Sequence, residues 1–168
     1  MTKHKNSSQD DICCPEFHPE KWNEKTIKWK NKPFIKESIP AFFHIPFPPM
    51  IGRKIKKMMA LAEKANKEEN DKEKVLIMFT DPTPFKSEIY ISVTGEVEGA
   101  NNAPLTGTFI TKVFDGGYNQ IPKFVKIMNK YLEEKSKKAK NYYVHYAYCP
   151  RCLKKFGHNY MILFAKII

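Results

Sequence analysis

Two groups of residues in this chain could do chemistry. The first is an acid set among rings: Glu88 opens "EIYISV" beside Tyr90, and "YYVHYAYCPRC" (142–152) crowds four tyrosines into seven residues. A carboxylate buried among aromatic side chains needs a partner or a task. Such a box suits cationic or planar ligands. The second group is Cys149-Pro-Arg-Cys152, which has the spacing of a zinc knuckle. A closed structural zinc site takes four ligands. The other two cysteines, Cys13 and Cys14, are adjacent and make poor tetrahedral partners, which leaves one of them with His18 or His158. Cys149 reads better as a turn residue in a long hairpin, so no metal and no cofactor are expected. A Cys–His catalytic pair is disfavoured too, because nothing local marks a nucleophile.

Alternation decides what each strand presents. On "EIYISV", Ile89, Ile91 and Val93 share one face, while Glu88, Tyr90 and Ser92 share the other. On "YYVHYAY", Tyr142, Val144, Tyr146 and Tyr148 lie together, opposite Tyr143, His145 and Ala147. Matching the last strand to "YISV" makes Phe164 the counterpart of Tyr90. Matching "IMFTDP" to "YAYCP" sets Asp81-Pro82 against Cys149-Pro150, two places where a strand leaves the sheet. The face turned away from the helices is then expected to hold Glu88, Tyr90, Tyr146, Tyr148 and Phe164.

The elements that must position these residues come twice. "SIPAFFHIPF" is a β-type run, and Pro48-Pro49 then admits a helix, since proline is tolerated in a first turn. Ile51, Ile55, Met58, Met59 and Ala62 form one apolar stripe along it. "VLIMF", a turn at Asp81-Pro82 and "SEIYISV" follow. The second half repeats the order: "GTFITKVF", the turn "DGG", a helix with Ile121, Phe124, Val125, Met128, Tyr131 and Leu132 on one side, "YYVHYAY" and "NYMILFAKI". The expected fold class is α+β: two pseudo-symmetric strand–helix–strand–strand modules, 26–97 and 105–168, with antiparallel sheet and a ligand cleft between them. Residues 1–25 form an N-terminal arm, and 26–168 a single domain.

Composition narrows the partners. With 168 residues, 42% of them hydrophobic, the chain can bury one sizeable core. The net charge is +11, yet only Arg53 and Arg151 are arginines and the rest of the 29 basic residues are lysines. Arginine is the usual bidentate reader of phosphate and guanine, and these lysines are interspersed with acids. A solvated surface with no specific nucleic-acid partner is the reading. "MTKHKNSSQ" has no apolar h-region, and no run approaches the roughly 18 apolar residues of a membrane span. A soluble, cytoplasmic protein without a membrane partner is expected.

The ordered pattern of two such modules, "FDGGY" (114–118) opening the second helix, "YAYCP" at a strand end, "NYMILFAKI", and "FTDPTPFKSEIYISV" in the first half resembles the GyrI-like small-molecule-binding domain family over about residues 26–168. "CCPEFHPEKWNEKTIKWKNKPF" looks like its free-standing branch, and no helix-turn-helix segment precedes it. The resemblance implies a cleft for planar aromatic or hydrophobic small molecules. Ligand-binding members commonly carry an acid two positions before Tyr146, where this chain has Val144, so Glu88 would have to substitute from the other module. One stand-alone branch hydrolyses the cyclopropane of DNA-alkylating cyclopropanoid compounds inside an aromatic cage. By that likeness Glu88 would orient or deprotonate water, and Tyr146 or Tyr148 would hydrogen-bond the carbonyl oxygen. Trp29, Phe42 or Phe43, Tyr90, Tyr118 and Phe164 would bind the ligand. A non-catalytic drug-sequestering protein, or a protein-binding inhibitor like the relatives that act on DNA gyrase, are the alternatives.

Overall fold

The computed structural model describes residues 14–168; the polar start of the arm and Cys13 lie outside the described residues. Eight strands form one open antiparallel sheet. In chain order they are β1 (Thr26–Lys32), β2 (Phe34–Phe42), β3 (Ile45–Pro46), β4 (Ile77–Thr83), β5 (Lys86–Ser92), β6 (Leu105–Asp115), β7 (Ala139–Tyr146) and β8 (Tyr160–Ile167). Among the described residues there are three α-helices: α1 (Pro48–Lys64), α2 (Ile121–Glu134) and α3 (Pro150–Phe156). The architecture is mixed α+β, and among the described residues no helix is long and apolar enough to cross a membrane.

Spatial order across the sheet is β1-β6-β8-β7-β4-β5-β2-β3. Register shows which side chains share a face. Glu37, Ile89, Phe79, Val144 and Leu163 form one cross-strand row. Lys36, Tyr90, Met78, His145 and Ile162 form the adjacent row, which points the other way. Both long helices cover the first face. Met58 and Ala62 of α1 pack on Ile35, Ile39, Ile89 and Ile91. Phe124, Met128 and Leu132 of α2 pack on Ile110, Phe114, Met161 and Leu163. The prolines at both helix starts and the apolar stripes produce these helices as the spacing predicts. The second face is also filled: Phe34, Met78, Tyr90, Phe109, Tyr143 and Phe164 lie beneath Trp29 of β1 and Phe17 and Trp22 of the arm.

Three expectations change. β1 precedes the first helix in sequence but pairs with β6, at the far edge of the other half. The turn expected at Asp81-Pro82 is instead a bulge: β4 runs on to Thr83 with a register shift between Thr80 and Thr83. Proline is tolerated there because β4 meets β7 only at Met78 and Phe79, so the missing N–H breaks no ladder bond on that side. The long β7–β8 hairpin holds α3 in its connection, so Cys149 stands at the N-terminal boundary of a helix rather than in a plain turn.

The β4–β7 junction is short, and side chains extend it. The Thr80 hydroxyl donates to Tyr142 O at 2.8 Å. His145 Nδ1 sits 3.0 Å from Ile77 O and 3.2 Å from Ile77 N, able to donate to the first or accept from the second according to tautomer. Burial drives its pKa down from 6.5 to about 4, against a smaller upward effect of the Ile77 backbone bond. The folded protein therefore binds this proton less readily than the unfolded chain, so its contribution is complete above pH 6.5 and is lost as pH falls toward 4. Denaturant unfolding at pH 7 and pH 5 should show wild type losing on the order of 2 kcal/mol more than His145→Asn across that interval. Equal losses would mean His145 does not couple protonation to folding.

Candidate active site

A broad depression of about 2030 Å³ opens at the centre of the molecule. Its lining includes Ile51, Phe79 and Tyr146 but also Glu88, Tyr90 and His145. These belong to opposite faces of the sheet, so the sheet divides it into two grooves meeting around the short β4–β7 seam.

The groove on the helix side lies between α1 and α2. Ile51, Ile55 and Met59 line one wall, Ile121 and Val125 the other, with Phe79, Val144 and Tyr146 as floor. Tyr146 stands at the middle of a ring chain, with Phe79 at 5.6 Å and Tyr118 edge-on at 5.0 Å between centroids. Burial, and then the neighbouring Tyr118 and Asp81, push the Tyr146 phenol well up. It remains protonated at neutral pH and can act as a hydrogen-bond donor.

A polar group closes one end of this groove. Ser87, only 1% exposed, donates its hydroxyl to Asp81 Oδ1. His44 Nδ1 lies 3.5 Å from Asp81 Oδ2. That separation is long for a hydrogen bond but within ion-pair reach. His44 is positioned by an unusual turn. Phe42 pairs with Ile45, so Phe43-His44 is a two-residue hairpin loop, and both have positive φ, 48° and 67°. Such a turn ordinarily takes Asn-Gly, and each side-chain-bearing residue in left-handed backbone costs about 1 kcal/mol. Strain of this kind concentrates where geometry serves function. Asp81 reaches the same spot because the β4 bulge turns it toward Ser87 and His44.

The opposite groove holds the acid singled out in the sequence. Glu88 is buried and paired, 3.0 Å from Lys36 Nζ and 4.0 Å from Lys86 Nζ. Lys36 Nζ also stands 5.8 Å from the Tyr90 ring centre. Burial, with smaller effects of Glu88 and Tyr143, raises the Tyr90 phenol. Trp29, Tyr90 and Phe164 come together in a packed core, where the expectation was an open ligand cage. Trp29 lies against Phe34, Phe109 and Phe164, Tyr90 against Phe34 and Tyr143, and Phe164 is 0% exposed.

Tyr146 and Tyr148 do not join that set. Tyr146 faces the helices, so the expectation that it shares a face with Glu88 is overturned. The cause is the alignment of Asp81-Pro82 with Cys149-Pro150, which matches Met78 to Tyr146. Met78 points away from the helices and Tyr146 toward them. A one-residue slip exchanges the faces. Tyr148 lies beyond the strand, buried, stacked on Phe156 at 4.4 Å and accepting the Phe17 N–H at 2.9 Å. Phe42 and Phe43 are 68% and 62% exposed; Phe43 lines the depression and Phe42 meets the Phe43 ring edge-on. The residues that sequence reasoning missed are His44, Asp81 and Ser87. The one available signal was Phe-His where a tight turn demands small, flexible residues.

A mixed α+β protein with an aromatic groove ending in an Asp–His pair is the class that fold and site define. The chain matches the family described as Bacterial hydrolase over residues 4–167 and belongs to it. No curated protein matches the chain. If the Phe43-His44 turn is strained for a purpose, the double variant Phe43→Asn, His44→Gly should raise stability by about 1–2 kcal/mol in urea unfolding. No gain in midpoint would show that the surrounding packing already relieves the left-handed backbone.

Proposed function

We propose that this protein is a hydrolase that takes planar, hydrophobic xenobiotics in the groove between α1 and α2 and opens the cyclopropane of DNA-alkylating cyclopropanoid compounds. The observation that carries the reading is the meeting of a protonated tyrosine on a ring-lined floor with an Asp–His pair at the groove's end. The strand order, with β6-β8-β7 on one side of the seam and β4-β5-β2 on the other, supports two pseudo-symmetric modules of the GyrI-like kind. In this reading the seam between them is the floor of the ligand cleft.

The chemistry needs little beyond placement. In such compounds a strained cyclopropane is conjugated to a dienone. Water attacks the ring carbon, the C–C bond breaks, and its electron pair moves through the dienone to the carbonyl oxygen, giving a phenolate. His44 takes the proton from the attacking water, and Asp81 steadies the imidazolium. Tyr146 donates to the oxygen on which charge develops. The proton held by His44 then returns to the phenolate, completing the addition of water. Ser87 holds Asp81 by its hydroxyl and is too enclosed to be the nucleophile. Phe79 and Tyr118 hold the plane of the substrate, a positioning effect that a preactivated electrophile makes sufficient. Glu88, neutralised by Lys36 on the other face, is a structural ion pair in this scheme.

A sequestering protein without turnover is the second reading. The exposed ring of Phe43, which lines the depression, and those of Phe42 and Phe85 packed against it favour capture of flat ligands in either case. Product formation from excess cyclopropanoid, followed by mass spectrometry, separates the two. Wild type should turn over many times, and Asp81→Asn and His44→Gln should each lose roughly a hundredfold or more in kcat with ligand affinity within a few-fold. Glu88→Gln should retain turnover. A protein that binds the compound and returns it unchanged is a sponge, and loss of turnover in Glu88→Gln alone would move the reaction to the other face of the sheet.

A further inference from the structure

Three cysteines converge at the end of the molecule where the arm meets α3. The Sγ atoms of Cys14, Cys149 and Cys152 lie within 4.8 Å of one another. Cys149 and Cys152 stand at the start of α3 in the two-residue spacing of a knuckle, and Cys14 arrives from 135 positions away along the chain. The Cys149 N–H points at the Cys14 sulfur, 3.4 Å from it. Cys152 is 0% exposed and the other two are half-buried. We propose that these three cysteines bind a zinc ion as thiolates, and that the ion fastens the N-terminal segment to the β7–α3 corner.

The geometry suits a thiophilic tetrahedral ion. Zinc–sulfur bonds of about 2.3 Å place the sulfurs of one tetrahedral centre roughly 3.8 Å apart. The observed cluster, with each Sγ within 4.8 Å of the others, is close to that spacing. An all-sulfur donor set selects zinc over the oxygen-preferring magnesium and calcium. The described residues supply three of the four corners. Adjacent cysteines cannot easily share one tetrahedron, but Cys14 needs no adjacent partner when α3 provides both others.

Position explains what the ion would accomplish. Just beyond Cys14, Phe17 packs on Tyr160 at 5.4 Å and gives its N–H to Tyr148. Trp22 then contacts Phe164, and Trp22 O accepts the Thr111 hydroxyl. This segment roofs the core on the face away from the helices. A chain end held by a few contacts frays unless it is tied down, and a metal shared by arm and helix supplies the tie. Cys14 and Cys149 also line the central depression, so the zinc proposal is read by metal content and the hold on the arm, and the hydrolase reading by turnover in the Asp81 and His44 variants.

The test uses the full chain, purified reduced and loaded with zinc chloride, then desalted. Elemental analysis should find one zinc per chain. Cobalt in its place should show the near-ultraviolet absorption of thiolate-to-cobalt charge transfer. Cys14→Ser and Cys149→Ser should each weaken zinc binding by more than about a hundredfold. Chelation of wild type should lower the thermal midpoint and shift tryptophan fluorescence as Trp22 becomes exposed. Because Cys152→Ser places a hydroxyl in a sealed position, Cys14→Ser, with its fold checked by circular dichroism, is the deciding variant. A folded, reduced wild type with no zinc and no cobalt–thiolate band would overturn the proposal, as would a Cys14→Ser variant that keeps wild-type affinity.

Discussion

Two residue pairs, Met78–His145 and Phe79–Val144, are all the register that joins the halves of an eight-stranded sheet. Apart from the small β2–β3 hairpin, the other neighbours pair over longer stretches, as β6 and β8 do from Phe109–Lys166 to Asp115–Tyr160. Past those two pairs β4 and β7 part, and backbone groups that would otherwise pair across the seam must find other partners or water. Thr80 and His145 supply some of those partners from their side chains. The parting also leaves concave surface on both sides of the seam. Both grooves open from that short junction.

The two sides are then made unlike by what covers them. Helices cross the first side at a distance from the seam, leaving Phe79, Val144 and Tyr146 between them. The second side is roofed by the arm, and its rings, Trp29 of β1 among them, are spent on one another: Trp29, Phe34, Phe109, Tyr143 and Phe164 form a closed cluster. Glu88 survives near that cluster because Lys36 and Lys86 neutralise it. A buried carboxylate beside two lysines meets the cost of its desolvation locally, so the burial that drew attention to Glu88 has a structural explanation. Asp81 has Ser87 and His44 as neighbours and faces the more open groove.

Much of the fold was legible because it rests on local periodicity. The stripe of Ile51, Ile55, Met58 and Ala62 and the stripe of Phe124, Met128 and Leu132 can be satisfied only by helices with one buried side. The alternation in "EIYISV" correctly separates Ile89 and Ile91 from Glu88 and Tyr90. The site was less legible. Matching two strands by their prolines introduced a shift of one residue, and in a strand that is enough to send Tyr146 to the wrong face. Asp81 was hidden by the same proline, since Asp-Pro reads as a turn and here forms a bulge inside a strand.

Taken alone, the sequence determined the element types, their order and the apolar face of each, because these depend on side chains a few positions apart. Only the tertiary structure decided that β1 crosses to the far half, that Cys14 meets Cys149 and Cys152, and that His44, Asp81 and Ser87 share one corner. Each of those meetings joins segments that local pattern does not relate, through strand pairing and packing in three dimensions. A period of two or of 3.6 residues tells which way a side chain points; it carries no information about which distant segment will be there to meet it.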